Sequence, residues 1–328
     1  MADRPTPKRV QTQPRVVRKP AKEIVIGEES TEPSPEVLKE AGARPVEADN
    51  KAVIQAPPSA RKKPLPFKIQ SARETPRWLK MLIYGNYGTG KTTLAATAQD
   101  VADMQDVLFI DAEAGGMSLA ERPDIDSITI TNYAQFARVF EYLRLHVRAR
   151  DNNDLETLAR LESVYKEVEV KPKDVKKYRT VVIDSITEVH KYCMYQVLGM
   201  EVGDYALDLE PAAAEWKDWG KGAEMIRLLV RSFRNLPMHV IVVASENTTE
   251  DEAKRQLKSP GLSGKLSKEI QGLLDVVGYL YAAPTETGLR RRLFLEPGKT
   301  FDAKSRAQWI KVPYIDEPTM SLIMSGGE

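Results

Sequence analysis

The chain has 328 residues, enough for one large domain or two modest ones with a sizeable hydrophobic core. Its formal net charge of +1 excludes a strong overall field, so any affinity for nucleic acid must come from a local patch. The single cysteine, Cys193, excludes an intramolecular disulfide and indicates a reducing compartment. No apolar run approaches the ~18 residues that span a membrane, so we expect a cytoplasmic protein.

Residues 1–75 differ in composition from the rest of the chain. They hold about half of the prolines, almost no aromatic residues, and charges of both signs. Such a segment buries too little apolar surface to offset the entropy of ordering, so we predict a disordered, proline-rich, charged tail. The basic cluster at residues 61–63 is either a nucleic-acid contact or a solvated linker.

From Pro76 onward, apolar strands alternate with helical segments, which is typical of an open, mostly parallel sheet with crossover helices. The predicted strands are residues 79–84, 107–110, 125–130, 180–183 and 239–244. A C-terminal β-hairpin is predicted from residues 277–282 and 289–295. Residues 150–177 are rich in charge and lack glycine, which indicates a charged helical insertion. The sequence therefore predicts one α/β domain over residues 76–328.

The segment from Gly85 to Thr92 matches the phosphate-binding P-loop pattern G-x-x-x-x-G-K-[ST], between a predicted strand and a predicted helix. Its glycines let successive backbone N–H groups converge on a phosphate, and the helix N-terminus adds a positive dipole. Lys91 is predicted to reach the outer phosphates, and Thr92 to ligate Mg²⁺. The predicted nucleotide-binding residues of this segment are Gly85, Asn86, Tyr87, Gly88, Thr89, Gly90, Lys91, Thr92 and Thr93.

Two acidic residues at strand ends complete the predicted hydrolytic site. Asp184 follows an apolar strand, in the manner of a Walker B carboxylate, and is predicted to hold Mg²⁺ through a water molecule opposite Thr92. Hydrolysis also needs a group that activates or orients the attacking water, and we predict that group to be Glu113. Asp111 competes for this role, or instead fixes the loop after its strand.

These motifs resemble those of the bacterial RecA recombinase and its relatives. The segments that carry the resemblance are Gly85–Thr92, Phe109–Glu113 and Val181–Ser185. The chain looks closer still to bacteriophage RecA-like ATPases of the single-strand-annealing recombinase group, which Glu215–Gly220 and Ala303–Arg306 support. The resemblance covers about residues 78–315.

The resemblance implies a RecA-like P-loop NTPase fold and an enzyme that hydrolyses ATP with Mg²⁺. It further implies action on single-stranded DNA, in recombination, annealing or repair, as a head-to-tail homo-oligomer. For a phage-encoded protein, the compartment would be the cytoplasm of the bacterial host. A single-strand-binding protein is a further candidate partner, through the tail.

Further residue roles follow from the same resemblance. Glu246 occupies the place of a polar sensor at the end of the next strand, where the family often has glutamine. Lys304 and Arg306 fit basic residues that reach the ATP of a neighbouring subunit and assist catalysis there; otherwise they are surface charges.

The segment 248–268 corresponds to a loop that commonly binds single-stranded DNA in this family, with Gly261 and Gly264 giving flexibility. Its predicted DNA-binding residues are Lys254, Arg255, Lys258, Lys265 and Lys268. The alternative is a solvated loop, because nearby acidic residues offset part of the charge and no aromatic residue offers stacking. Trp216 and Trp219 are able to stack on a base, although tryptophans three apart at a helix start more often pack inward.

Three other functional classes compete with this interpretation. A RecA-fold helicase or loader motor would usually carry further domains, for which the chain has little room. A P-loop kinase or nucleotide switch would hydrolyse nucleotide without regard to DNA. An AAA+ ATPase would carry a helical lid domain after the sheet, and none is predicted.

Overall fold

The computed structural model describes residues 77–200, 213–250, 254–286 and 288–327. The predicted tail, residues 1–75, lies outside these ranges. None of the helices in the described part of the chain has both the length and the apolar character needed to cross a membrane.

The described residues form ten strands, seven α-helices and three short 3-10 helices. The strands are β1 (Lys80–Gly85), β2 (Val107–Asp111), β3 (Asp126–Thr129), β4 (Thr180–Asp184), β5 (His239–Glu250), β6 (Gln256–Pro260), β7 (Val276–Thr285), β8 (Gly288–Phe294), β9 (Lys304–Ser305) and β10 (Tyr314–Asp316). The α-helices are α1 (Lys91–Ala96), α2 (Ala134–Asp151), α3 (Leu155–Lys166), α4 (Ile186–Val197), α5 (Trp216–Arg234), α6 (Leu266–Leu273) and α7 (Met320–Ser325). The 3-10 helices span Thr97–Asp100, Gly116–Leu119 and Pro172–Asp174.

The strands pair in the order β10-β8-β7-β1-β5-β4-β2-β3, while β6 pairs with β5 and β9 with β7. Every pair from β7 through β3 along this path is parallel. The pairs made by β6, β8, β9 and β10 are antiparallel, and β7 with β8 is the predicted C-terminal hairpin. The predicted fold class is thus confirmed as α/β, with a mostly parallel central sheet and a C-terminal β-hairpin.

The central strands are buried on both faces, as expected for a parallel sheet covered by helices. Every residue of β1, β2 and β4 is buried. One face of the sheet packs against α2, α4, α5 and α6, and the other against α1 and α7. The N–H of Met320 in α7 donates to the Thr97 hydroxyl at 2.8 Å, which joins the C-terminal helix to the end of α1.

The charged segment 150–177 contains α3, which packs on α2 through a few apolar and aromatic side chains. Leu158 is buried, and the buried carboxylate of Glu162 lies 2.7 Å from the Lys166 ammonium. The other oxygen of Glu162 accepts the Lys176 N–H at 3.0 Å. These bonds offset the cost of burying a carboxylate.

The prediction of a flexible loop over residues 248–268 is wrong. Strand β5 continues to Glu250 and pairs antiparallel with β6, and α6 begins at Leu266. A Cβ added at Gly261 would lie 2.6 Å from the Ser245 hydroxyl, so this glycine permits close packing and not flexibility. The sequence predicted a strand only over the apolar residues 239–244. The continuation of β5 to Glu250 was missed because its residues are polar.

Candidate nucleotide-binding site

The P-loop joins β1 to α1 at the carboxyl edge of the sheet. A Cβ added at Gly85 would lie 2.2 Å from the Leu280 carbonyl oxygen, so only glycine fits where β1 passes β7. Gly88 and Gly90 have φ values of 71° and 91°, in the left-handed region that favours glycine. The backbone geometry therefore requires glycine at these three positions. With glycine there, the loop is able to curve around a phosphate.

Lys91 folds back over the P-loop. Its ammonium donates to the carbonyl oxygens of Gly85 at 3.1 Å and Asn86 at 2.8 Å. Burial lowers the pKa of Lys91, and the nearby carboxylates of Asp184, Glu113 and Glu246 oppose that shift. An anionic phosphate placed in the loop would supply the negative charge that the half-buried ammonium favours.

Thr92 and Asp184 lie together, as the motifs predicted for a shared Mg²⁺ ion. The Thr92 hydroxyl donates to Asp184 Oδ2 at 2.6 Å. Burial raises the pKa of Asp184 to about 6, and the bond from Thr92 opposes the shift. A hydroxyl and a carboxylate in contact beside a phosphate-binding loop are hard oxygen donors, which suits Mg²⁺. The predicted metal ligands thus fit the ion chemically.

Glu113 and Asp111 have different surroundings. The Ser185 hydroxyl donates to Glu113 Oε1, which brings the predicted catalytic carboxylate next to the end of β4. Asp111 Oδ1 instead accepts the backbone N–H groups of Glu113 at 3.0 Å and Gly115 at 3.3 Å. Asp111 therefore fixes the loop that carries Glu113, which supports the second of its two predicted roles.

Glu246, the predicted sensor, lies where β5 leaves the sheet. Its Oε1 is 3.2 Å from the Lys258 ammonium, and the carboxylate is close enough to influence the pKa of Lys91. Its Oε2 is buried without a hydrogen-bond partner among the described residues. An unpaired buried oxygen is unfavourable, and it is available to a water or ligand in this site.

Arg291 is a site residue that the sequence analysis did not identify. Its Nε donates to the Thr89 carbonyl at 3.2 Å and would lie 2.9 Å from a Cβ added at Gly90. The flanking Arg290 and Arg292 both pair with Asp316. Side chains alternate between the two faces of a strand, so the sequence could have indicated that Arg291 lies on the opposite face of β8 from Arg290 and Arg292.

Lys304 and Arg306 are not assembled with the P-loop of their own subunit. Lys304 pairs with Val277, which is in register with Leu82, three residues before Gly85. The backbone of Lys304 is therefore displaced from Gly85 by about 10 Å along the strand direction and by about 10 Å across two strand spacings. Arg306 donates its Nη2 to the Gly272 carbonyl at 3.2 Å. Contact with a phosphate would require a neighbouring subunit.

The predicted DNA-binding lysines and arginine lie on β6, on α6 and beside them. Lys258 is half-buried and bonded to Glu246 and to the Tyr279 hydroxyl, so it is part of the interior and not of the exposed surface. Lys268 pairs with Asp302 at 2.7 Å. The exposed members of the set are Lys254, Arg255, Lys265 and Lys268.

We predict that Arg291→Ala weakens ATP binding about tenfold or more, because a charged hydrogen-bond partner beside the phosphates is worth ~1.5–3 kcal/mol. Arg290→Ala is the matched control, since that residue is exposed and pairs with Asp316 on the other face. Titration of a fluorescent ATP analogue measures both. Equal affinity in the two variants would show that Arg291 only holds the Thr89 carbonyl.

The raised pKa of Asp184 predicts a pH dependence. In the ligand-free protein, this carboxyl lowers stability as the pH rises from about 4 to about 6, because the unfolded group ionises first. Mg²⁺ needs the ionised form, so thermal stabilisation by Mg²⁺–nucleotide should grow as the pH passes about 6. Thermal melts with and without Mg²⁺–nucleotide, at about pH 5 and about pH 7.5, test this. In Asp184→Asn only the titration of the nucleotide itself should remain, and an unchanged profile there would exclude Asp184 as the cause.

A family model described as "AAA domain" matches residues 77–307 of the chain. A crystal structure of the flagellar accessory protein FlaH from Methanocaldococcus jannaschii is similar at 9% identity and a TM-score of 0.35, covering 74% of this chain and 88% of that chain. No curated protein matches the sequence.

In residues 254–286 and 288–327 only the short helices α6 and α7 occur, so no helical lid follows the sheet there. The lack of a predicted lid argued against an AAA+ ATPase, but the sequence nevertheless matches an AAA domain. Together with the P-loop geometry, the match over more than half of the chain shows that this protein is a P-loop ATPase of the AAA domain family.

Proposed function

We propose that this protein hydrolyses ATP while bound to single-stranded DNA and acts in DNA recombination, annealing or repair as a head-to-tail homo-oligomer. The observation that carries the proposal is the path of β5. Glu246 lies beside the nucleotide site at the end of the buried half of this strand, and the exposed half pairs with β6. The hairpin and the start of α6 expose Lys254, Arg255 and Lys265 to solvent. One continuous element thus links the ATP site to a basic surface.

In the proposed reaction the backbone of the P-loop binds the triphosphate, and Lys91 leaves its carbonyl partners for the outer phosphates. Thr92 and Asp184 would hold Mg²⁺, which would supply positive charge to the phosphates. Glu113 orients the attacking water and accepts its proton, while Ser185 positions that carboxylate. Arg291 places positive charge against the loop from the β8 side.

The main test measures ATP hydrolysis with and without single-stranded DNA at about 50 mM and about 200 mM salt. We expect DNA to stimulate turnover, and the stimulation to fall at the higher salt because phosphate contacts release counterions. Turnover that ignores DNA at both salts would favour a nucleotide switch or kinase. Translocation along DNA would favour a helicase or loader.

Two substitutions separate nucleotide binding from hydrolysis. Lys91→Ala should abolish turnover, because it removes the ammonium that the P-loop itself supplies to the outer phosphates. Glu113→Gln should bind ATP normally but lower kcat by about 10²–10⁴-fold, since it keeps the shape and loses the base. The exposed Glu121→Gln serves as the control. A Glu113→Gln protein with parental kcat would remove this residue from catalysis.

The proposed contribution of Lys304 and Arg306 to a neighbour's site predicts complementation. Replacing both by alanine should leave ATP affinity nearly intact and suppress DNA-stimulated turnover, because a basic group supplied in trans can be worth ~10³-fold in rate. Mixing this double variant with Lys91→Ala protein should restore part of the activity, through interfaces that join a working P-loop to working basic residues.

The matched control for this experiment replaces Lys299 and Lys311, which are also exposed and late in the chain. That double variant should retain DNA-stimulated turnover without any mixing. If no mixture recovers activity although both inactive proteins are folded and assemble together, the active site is not shared between subunits.

A further inference from the structure

Two large aromatic side chains lie on the surface at the start of α5. Trp216 is 92% exposed and Trp219 is 43% exposed, contrary to the inward packing that their spacing favours. The first turn is fixed by a capping box in which Glu215 accepts from the backbone of Asp218 and the Asp218 carboxylate accepts the Glu215 N–H at 3.1 Å. The start of the helix is therefore ordered, and the two exposed indoles on it make this surface a candidate interaction site.

The tryptophans form one wall of an open groove of about 630 Å³. The opposite wall is the turn before α6, including Gly264 and Lys265. Nothing lies within 4 Å of a Cβ built at Gly264, so the backbone of this wall is accessible. The groove thus has two exposed indoles and an exposed lysine in its lining.

Two cationic side chains, Arg227 and Lys265, and one anionic side chain, Glu269, line the groove. Arg227 lies 2.8 Å from Glu224 and 2.6 Å from Glu269, so its positive charge is already compensated by these carboxylates. Lys265 makes no ion pair with any residue in the described ranges. Its charge is left for an anionic ligand, which an apolar protein surface would not provide.

The groove lies at the same edge of the sheet as the ATP site. Helix α4 begins where β4 ends at Asp184, and its second turn carries His190, whose ring is 6.4 Å from that of Trp219. The turn before α6 is tied to the sensor strand, because the Gly261 N–H donates to the Ser245 carbonyl at 2.7 Å. Ser245 in turn donates its N–H to the Thr187 hydroxyl at 3.1 Å.

We infer that this groove binds single-stranded DNA by stacking bases on Trp216 and Trp219 while Lys265 contacts a backbone phosphate. The inference rests on the proposed function and adds a site to it. The basic segment 254–268 lacks aromatic side chains, and α5 supplies them from a distant part of the sequence. Stacking needs only the π-face that every base has, so the site would tolerate any sequence.

The test measures binding of fluorescently labelled oligo(dT) to the full chain by anisotropy, over a range of salt concentrations. Trp216→Ala/Trp219→Ala should bind about tenfold or more weakly with an unchanged salt slope, because it removes stacking and no phosphate contact. Lys265→Gln should instead reduce the slope by about 0.7. Trp216→Phe/Trp219→Phe should retain most of the affinity, and oligo(dT) should quench the tryptophan emission of the parent protein.

Leu228→Ala is the matched control, since it removes another exposed apolar side chain from α5. Thermal melts and sedimentation of each variant monitor folding and assembly. Parental oligo(dT) affinity in the folded tryptophan double variant would overturn the stacking site and leave DNA binding intact. A parent protein that binds no oligo(dT) would overturn the DNA-binding proposal itself. Loss of self-association in the tryptophan double variant, with parental oligo(dT) affinity, would assign the groove to an interface between copies of the chain.

Discussion

The parallel register of the central strands is the constraint on which the rest of the structure depends. Asp111 pairs with Asp184 across β2 and β4, and Gly85 pairs with Ser245 across β1 and β5. Because parallel strands end at the same edge, residues from four distant parts of the sequence meet there. A shift of one residue in any of these strands would exchange the side chains on its two buried faces and displace its terminal residue from this edge.

This edge concentrates charges that are only partly solvated. Lys91, Asp184 and Glu246 all lie against the interior, and burial moves the pKa of the first two toward the neutral form. The ammonium is satisfied by carbonyls of its own loop, and the carboxylate of Asp184 by one hydroxyl. A triphosphate with its cation brings the opposite charges to each of these groups. Polar groups fixed in advance at such a site do not have to reorganise when the charge of the reaction develops.

The sequence was informative wherever function requires a local pattern. The P-loop follows from the phosphate-binding signature between Gly85 and Thr92, and Asp184 from an apolar run that ends in a carboxylate. It was uninformative where a role depends on distant contacts. Arg291 reaches Thr89 across 202 positions, and Trp216 remains outside because the buried face of its helix is occupied by others. The hairpin of β5 and β6 was missed because its polar residues are not distinguishable from those of a loop.

The contacts that close the P-loop come from the end of the described chain. Arg291 contacts Thr89, and Met320 donates to Thr97 across 223 positions. During synthesis the P-loop and α1 therefore emerge long before the residues that cover them. At ~5–20 residues per second, the ribosome exposes an unfinished edge for roughly ten seconds or more. The newly made domain has to keep the apolar side chains of this face from aggregating until its last strands and helix arrive.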